Sequence, residues 1–95
     1  MSAEIIVVRD SHTLAASVAA RVITTLADVL SARSTAHLCL TGGTIGTASL
    51  AAIAATPACD AIDWSRVHVW WSDERFLPAG DPERNETGAR EALLD

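Results

Sequence analysis

Three charged residues, Asp73, Glu74 and Arg75, follow a run of mainly apolar and aromatic residues at positions 67–71, with Ser72 between the run and the charges. The run has the composition of a buried strand, so the charged side chains would begin where the strand ends. In open parallel α/β sheets, ligands bind beyond the carboxyl ends of the strands. The acid pair and the arginine are therefore candidate site residues. The alternative is an ordinary polar junction between a strand and a loop.

A second candidate site begins at Thr41, where an apolar run ends in a glycine-rich turn that leads into an alanine-rich stretch. Gly42 and Gly43 would let the backbone approach an anion closely. The first turn of the following helix would supply unpaired N–H groups and the positive end of the helix dipole. The turn therefore predicts a phosphate-binding cradle. A tight turn that needs glycine for its dihedral angles alone would give the same pattern.

The composition describes one small globular domain, with 95 residues, a formal net charge of −5 and 49% hydrophobic residues. An acidic chain argues against a nucleic-acid-binding surface, so any anion site must be local. No uncharged apolar run approaches the length of a membrane span, and the N-terminus carries Glu4 and Arg9 instead of a signal sequence. Cys39 and Cys59 lack metal-ligand spacing and are interpreted as free thiols of a cytoplasmic protein.

The order of apolar segments predicts an α/β fold. The predicted strands are residues 4–8, 36–40 and 67–71, and the predicted helices are residues 12–33, 47–55 and 85–95. The first strand lacks alternation, which favours a Rossmann-like parallel sheet buried on both faces by flanking helices. Three strands would leave two sheet edges bare. Residues 1–95 are therefore expected to form the N-terminal βαβαβα part of one larger α/β domain.

With both motifs placed, the chain resembles the 6-phosphogluconolactonase family, and most closely its actinobacterial members. The residues Leu40-Thr41-Gly42-Gly43-Thr44 match a first motif, which is usually Leu-Ser-Gly-Gly-Ser. The segment 67–78 matches a second motif, in which a hydrophobic strand runs into Asp-Glu-Arg and an apolar residue precedes proline. Asn85 also matches. Arg84 stands where serine is usual, and Ile45-Gly46 replaces Thr-Pro.

The resemblance implies hydrolysis of 6-phospho-D-glucono-1,5-lactone in the oxidative pentose phosphate pathway, without a metal or cofactor. It implies that Gly42, Gly43 and Thr44 bind the 6-phosphate of this phosphosugar lactone. Glu74 is expected to be structural. The implied enzyme is a carboxylic ester hydrolase located in the cytoplasm.

The resemblance also assigns roles to two residues of the charged motif. Arg75 would bind the substrate or a developing oxyanion, since a guanidinium stays protonated and binds oxyanions in a forked geometry. Asp73 would fix Arg75 or a sugar hydroxyl. The family's histidine base lies in a later Asp-Gly-His segment that this chain lacks, and His12, His37 and His68 do not match it. Residues 1–95 alone are therefore expected to be inactive without the C-terminal remainder of the polypeptide.

Two alternatives remain open. Glucosamine-6-phosphate deaminases share the fold and a related glycine loop, but they carry Asp-Glu-Tyr where this chain has Asp73-Glu74-Arg75, and their aspartate acts as a base. Arg75 favours the lactonase. The second alternative is a non-catalytic nucleotide-binding module. A dinucleotide fingerprint would need glycine at Thr41, and a Walker motif would need a lysine after Gly46.

Overall fold

The computed structural model describes residues 3–95, which form three helices and a two-stranded parallel sheet. Helix α1 spans Ser11–Ala32, α2 spans Gly43–Ala55, and α3 spans Asn85–Ala89 and continues as a π-helix over Arg90–Leu94. Strand β1 spans Ala36–Leu40 and β2 spans Val67–Trp71. Two 3₁₀ turns, Pro57–Ala61 and Trp64–Arg66, lead from α2 into β2. The predicted α/β class with a parallel sheet and flanking helices is confirmed.

Helix α1 begins directly after Asp10, whose carboxylate accepts a hydrogen bond of 2.7 Å from the backbone N–H of Thr13. This cap satisfies one of the N–H groups that the first helical turn leaves without an intrahelical acceptor. The buried stripe of the helix consists of residues three or four positions apart, namely Ala15, Ala19, Ile23 and Leu26. The helix predicted at residues 12–33 is confirmed.

By length and composition alone, α1 could cross a membrane, because it has 22 residues and includes an 18-residue window with a mean hydropathy of 1.5. Its sequence nevertheless includes Arg21 and Asp28. Its buried face places Ile23 and Leu26 in the same hydrophobic cluster as Ile53 of α2. A helix that packs its apolar stripe on a neighbouring helix is typical of a globular core, and these contacts give α1 that role.

The two strands pair in parallel, with Ala36 opposite Val67 and Leu40 opposite Trp71. Beyond the last pair, the backbone N–H of Ser72 donates a 2.9 Å hydrogen bond to the carbonyl oxygen of Leu40. The pairing therefore continues to the residue just before the charged motif. Because the strands are parallel and in this register, their carboxyl ends lie side by side at one edge of the sheet.

The sheet is buried on one face. Ala36 and Leu40 are 2% and 6% exposed, whereas Trp70 is 58% exposed. On the exposed face the rings of His37 and His68 stack with their centroids 5.0 Å apart, and Trp70 Nε1 donates a 3.0 Å hydrogen bond to His37 Nδ1. The expectation of a sheet buried on both faces is wrong for residues 3–95, because none of their elements covers this side.

Residues 4–8 form no strand, which corrects the prediction of a first strand there. Ile5 and Val7 are 85% and 88% exposed, and Glu4 forms a 3.6 Å ion pair with exposed Arg21. β-branched side chains favour strands because they pack against neighbours on a pleated surface, and a strand also needs a partner for its ladder hydrogen bonds. No described strand lies beside this segment. The observed order of elements is therefore αβαβα.

The described fold exposes more surface than a closed domain of its mass. Its solvent-accessible surface is 6633 Å², against about 5,200 Å² for a typical monomer of 10.0 kDa. Its Cα radius of gyration is 13.8 Å, against about 12.4 Å for a compact domain of 95 residues. Beside β1, residues of α1 and α2 line an apolar groove of about 280 Å³ that no residue of β2 borders. Within residues 3–95, this edge of β1 is unpaired.

The variant Ile53→Ala is expected to lower the free energy of unfolding by about 3 kcal/mol, because Ile53 is 1% exposed and its truncation leaves a cavity. The matched control Ile5→Ala removes the same atoms from a residue that is 85% exposed, and we expect a loss below about 0.5 kcal/mol. Urea unfolding followed by tryptophan fluorescence measures both values. Equal losses would show that residues 4–8 pack on the fold in solution.

Candidate functional site

The glycine turn and the charged motif meet at the carboxyl edge of the sheet. Residues 41–43 lead from β1 into α2, and residues 72–75 follow β2, so the paired strands deliver both segments to one place. The beginning of α3, at Asn85, lies against both segments. A polar cleft of about 340 Å³ opens between them. Its lining consists of Gly43, Thr44, Thr47, Arg75, Pro82, Glu83, Arg84, Asn85 and Gly88.

The two glycines of the turn are required for different reasons. Gly43 has a φ angle of 85°, a backbone conformation that side chains disfavour, although a Cβ atom there would contact nothing within 4 Å. Gly42 is the N-cap of α2, and a Cβ atom on it would overlap the side-chain amide of Asn85. Because Gly42 has no side chain to cap α2, the first N–H groups of this helix stay free to meet an anion.

Asn85 connects the glycine turn to the charged motif. Its Nδ2 atom donates a 3.1 Å hydrogen bond to the carbonyl oxygen of Asp73 and makes a longer contact of 3.4 Å with Asp73 Oδ1. Its side chain also fills the space that a Cβ atom on Gly42 would need. The sequence-based site prediction omitted Asn85, although its match to the resembled family was a signal that could have included it.

The Glu74 carboxylate caps helix α3. Its Oε1 atom accepts hydrogen bonds from the backbone N–H groups of Arg75 at 2.8 Å and Asn85 at 2.6 Å, and its Oε2 atom accepts one from Glu86 at 2.9 Å. Partial burial would raise the pKa of Glu74, but these three hydrogen bonds and the nearby charge of Arg84 outweigh it and lower the pKa. Glu74 thus acts as an ionised cap that ties β2 to α3.

Arg75 is exposed and lines the cleft. Within residues 3–95 its guanidinium forms no hydrogen bond or ion pair, and only its backbone is engaged, through its N–H with Glu74 and its carbonyl oxygen with the N–H of Leu77. Asp73 thus makes no contact with the Arg75 guanidinium here, and its expected role, to fix Arg75 or a sugar hydroxyl, stays a prediction. The carboxylate of Asp73 lies near Ser72 Oγ and Asn85 Nδ2 instead, at 3.4 Å from each. This leaves the Arg75 guanidinium available to a ligand.

The cleft can bind an anion but offers no histidine as a base. It combines the free N-terminus of α2, the hydroxyls of Thr44 and Thr47, and the guanidinium of Arg75. Such donors suit the oxygens of a phosphate or a developing oxyanion. The three histidines of the chain lie elsewhere, one at the start of α1 and two on the exposed face of the sheet. Among residues 3–95, no group of three His, Cys, Asp or Glu side chains could hold a metal ion.

A family profile, individual proteins and solved structures that resemble this chain all belong to one protein family. The family profile described as glucosamine-6-phosphate isomerases/6-phosphogluconolactonase matches residues 9–95. The chain is 54% identical over 92 residues to a 6-phosphogluconolactonase of Streptomyces coelicolor, and this alignment covers 97% of the chain and 35% of that protein. It is 43% identical over 95 residues to a 6-phosphogluconolactonase of Mycobacterium leprae, and this alignment covers 100% of the chain and 38% of that protein.

A solved structure supports the fold. A 6-phosphogluconolactonase from Shewanella baltica matches with a TM-score of 0.80 and 27% sequence identity, over 93% of this chain and 36% of that one. The chain thus spans 35–38% of the length of the proteins that it matches. The resemblance stated from the two motifs is confirmed.

The variant Gly42→Ala is expected to destabilise the fold, because the added Cβ overlaps the Asn85 amide. Adding Asn85→Ala should relieve this overlap, so the double variant should be more stable than the two single losses predict, by about 1 kcal/mol or more. The control is Gly43→Ala. Its φ of 85° strains the alanine, but the added Cβ contacts nothing, so the loss of stability it causes should be the same with and without Asn85→Ala. Urea unfolding of the variants measures both couplings. Zero coupling at Gly42 would contradict the contact.

Proposed function

The chain belongs to the glucosamine-6-phosphate isomerase/6-phosphogluconolactonase family, and from that premise we propose that residues 1–95 form the N-terminal part of a 6-phosphogluconolactonase domain. The proposed reaction is hydrolysis of 6-phospho-D-glucono-1,5-lactone to 6-phospho-D-gluconate, in the cytoplasm and without a cofactor. The observation that carries the proposal is the convergence, in one cleft, of a free helix N-terminus and an unpaired arginine.

The reaction requires two kinds of group. Water adds to C1 of the lactone, the C1–O5 bond breaks, O5 leaves as a hydroxyl group, and C1 becomes a carboxylate after losing a proton. A base must take a proton from the attacking water, and donors must stabilise the negative charge that develops on the carbonyl oxygen. The 6-phosphate, far from C1, serves to hold the substrate in place.

We assign the 6-phosphate to the start of α2. The backbone N–H groups of Gly42 and Gly43 and the hydroxyl of Thr44 lie where the helix dipole is positive. In a chain with a net charge of −5, such a local site is what can bind a doubly charged phosphate. Arg75, in the same cleft, would then bind the substrate or the oxyanion at C1.

Asp73 and the base complete the proposal. Asn85 contacts both the carbonyl and the carboxylate of Asp73, which would orient this exposed carboxylate to accept a hydrogen bond from a sugar hydroxyl. No histidine borders the cleft, so we assign the base to the further polypeptide that the longer relatives have. The unpaired edge of β1 and the exposed face of the sheet are the surfaces that this polypeptide would cover.

The decisive experiment is a chimera in which residues 1–95 replace the matching segment of the Streptomyces coelicolor protein. We expect it to hydrolyse freshly generated 6-phospho-D-glucono-1,5-lactone, as measured by acid release. In the chimera, Arg75→Ala should lower kcat/KM by about a hundredfold, the usual cost of losing one stabilising donor. Arg75→Lys should recover only part of the loss, because a point charge cannot reproduce the fork of a guanidinium.

The control for Arg75 is Arg33→Ala, which removes another exposed arginine, at the amino end of β1 and so opposite the cleft, and should leave kcat/KM unchanged. A folded chimera in which Arg75→Ala has normal activity would remove Arg75 from the site. Release of ammonia from glucosamine 6-phosphate, without hydrolysis of the lactone, would favour the deaminase alternative instead.

The chain of residues 1–95 on its own is expected not to hydrolyse the lactone above the spontaneous rate, because it places no base beside the cleft. The measurement is acid release by the purified chain against a buffer blank, repeated with Arg75→Ala. Turnover by the chain that disappears in the Arg75 variant would show that these residues carry the whole reaction, and the assignment of the base to another segment would be wrong.

A further inference from the structure

We propose that Arg84 is a positioning residue, which holds both ends of the segment 74–77 so that Arg75 is presented to the cleft. This inference rests on the proposed function, since it concerns the same site. The contacts of Arg84 with the chain on either side of Arg75 carry it.

The Arg84 side chain is engaged on several sides. Its Nη1 atom donates a 3.1 Å hydrogen bond to the carbonyl oxygen of Leu77, and its Nη2 atom donates one of 2.9 Å to Glu86 Oε1. Its Nε atom lies 3.8 Å from Glu74 Oε2. Arg84 and Glu74 are each 24% exposed, so the pair is largely shielded from water. With two carboxylates offsetting its charge, Arg84 is a poor ligand for a further anion.

The two arginines of the cleft therefore differ in role. Arg75 is exposed, and its guanidinium has no partner within residues 3–95, whereas two nitrogens of the Arg84 guanidinium donate to Leu77 and Glu86 and its Nε lies in ion-pair range of Glu74. An unpaired guanidinium suits substrate binding. A paired and largely buried guanidinium is suited to holding a loop in place. Moving the loop would break a shielded ion pair and leave one charge uncompensated.

The backbone of Arg75 is held at both ends by groups that Arg84 contacts. Its N–H donates to Glu74 Oε1 at 2.8 Å, and its carbonyl oxygen accepts a 2.9 Å hydrogen bond from the N–H of Leu77. Glu74 in turn accepts from Asn85 and Glu86 at the start of α3. Arg84 thus links the residue before Arg75 to the residue two positions after it. A displacement of about 1 Å in a reacting group can cost a hundredfold in rate, so such a link has a catalytic consequence.

The test uses Arg84→Met, which keeps the length of the side chain and removes its donors. In the 95-residue chain, amide hydrogen exchange at Arg75 and Leu77 should be faster by about tenfold, since hydrogen bonds to a charged partner are among the stronger ones. Arg84→Lys should give an intermediate rate. The matched control is Arg90→Met, because Arg90 also pairs with Glu86, at 3.0 Å, but contacts neither Glu74 nor Leu77. Exchange at Arg75 that is unchanged in Arg84→Met, or equally raised in Arg90→Met, would overturn the proposal.

The second arm measures kinetics in the chimera. Arg84→Met should lower kcat/KM for the lactone by about tenfold, and it should cause no further loss when Arg75→Ala is already present, because it acts through Arg75. If Arg84 only stabilised the fold, Arg84→Met would lower kcat/KM by the same factor with and without Arg75→Ala. That result would contradict the proposal. If the chimera with native residues is inactive, the proposed function fails, and the exchange measurement alone then decides whether Arg84 positions Arg75.

Discussion

The site depends on the carboxylate of Glu74. By accepting three backbone N–H groups, it joins the end of β2 to the start of α3 and holds the backbone N–H of Arg75. Two helix N-termini meet at this edge of the sheet, and each favours a negative charge. Glu74 supplies that charge to α3 from within the protein. The N-terminus of α2 has no such side-chain cap, and on the proposed function it is the one that binds the substrate phosphate.

The glycine motif combines three separate constraints. Gly43 adopts a positive φ angle, Gly42 leaves room for the Asn85 amide, and a Cβ atom on Gly46 would lie 2.7 Å from the carbonyl oxygen of Thr41. The first constraint is conformational, the second comes from α3, and the third comes from the end of β1. A phosphate cradle and a tight turn are thus not exclusive interpretations, since the backbone that frees the N–H groups of α2 also requires these glycines.

Features set by local sequence were predictable. The order of apolar segments predicted α1, β1 and β2 within a residue or two of their observed ends. The meeting of the two motifs followed from parallel pairing, because parallel neighbours end at the same edge of the sheet. The strand predicted at residues 4–8 failed because β-propensity is local, whereas a strand needs a partner that sequence periodicity does not identify. Similarly, the roles of Arg84 and Asn85 depend on contacts with residues 7 to 12 positions away or more, and no spacing rule predicts such contacts.

On the proposed function, the chemistry divides between two parts of the polypeptide. The edge of the sheet formed by residues 3–95 supplies N–H groups, hydroxyls and a guanidinium, all of which stabilise negative charge. A base that removes a proton from water must instead accept a positive charge or a proton. Hydrogen-bond donors and a guanidinium placed around such a base would lower its pKa and so weaken it. The unpaired edge of β1, with its apolar groove, offers a place for a further strand next to the glycine turn. A strand added there in parallel would bring its own carboxyl end to the same edge of the sheet as the glycine turn and the charged motif.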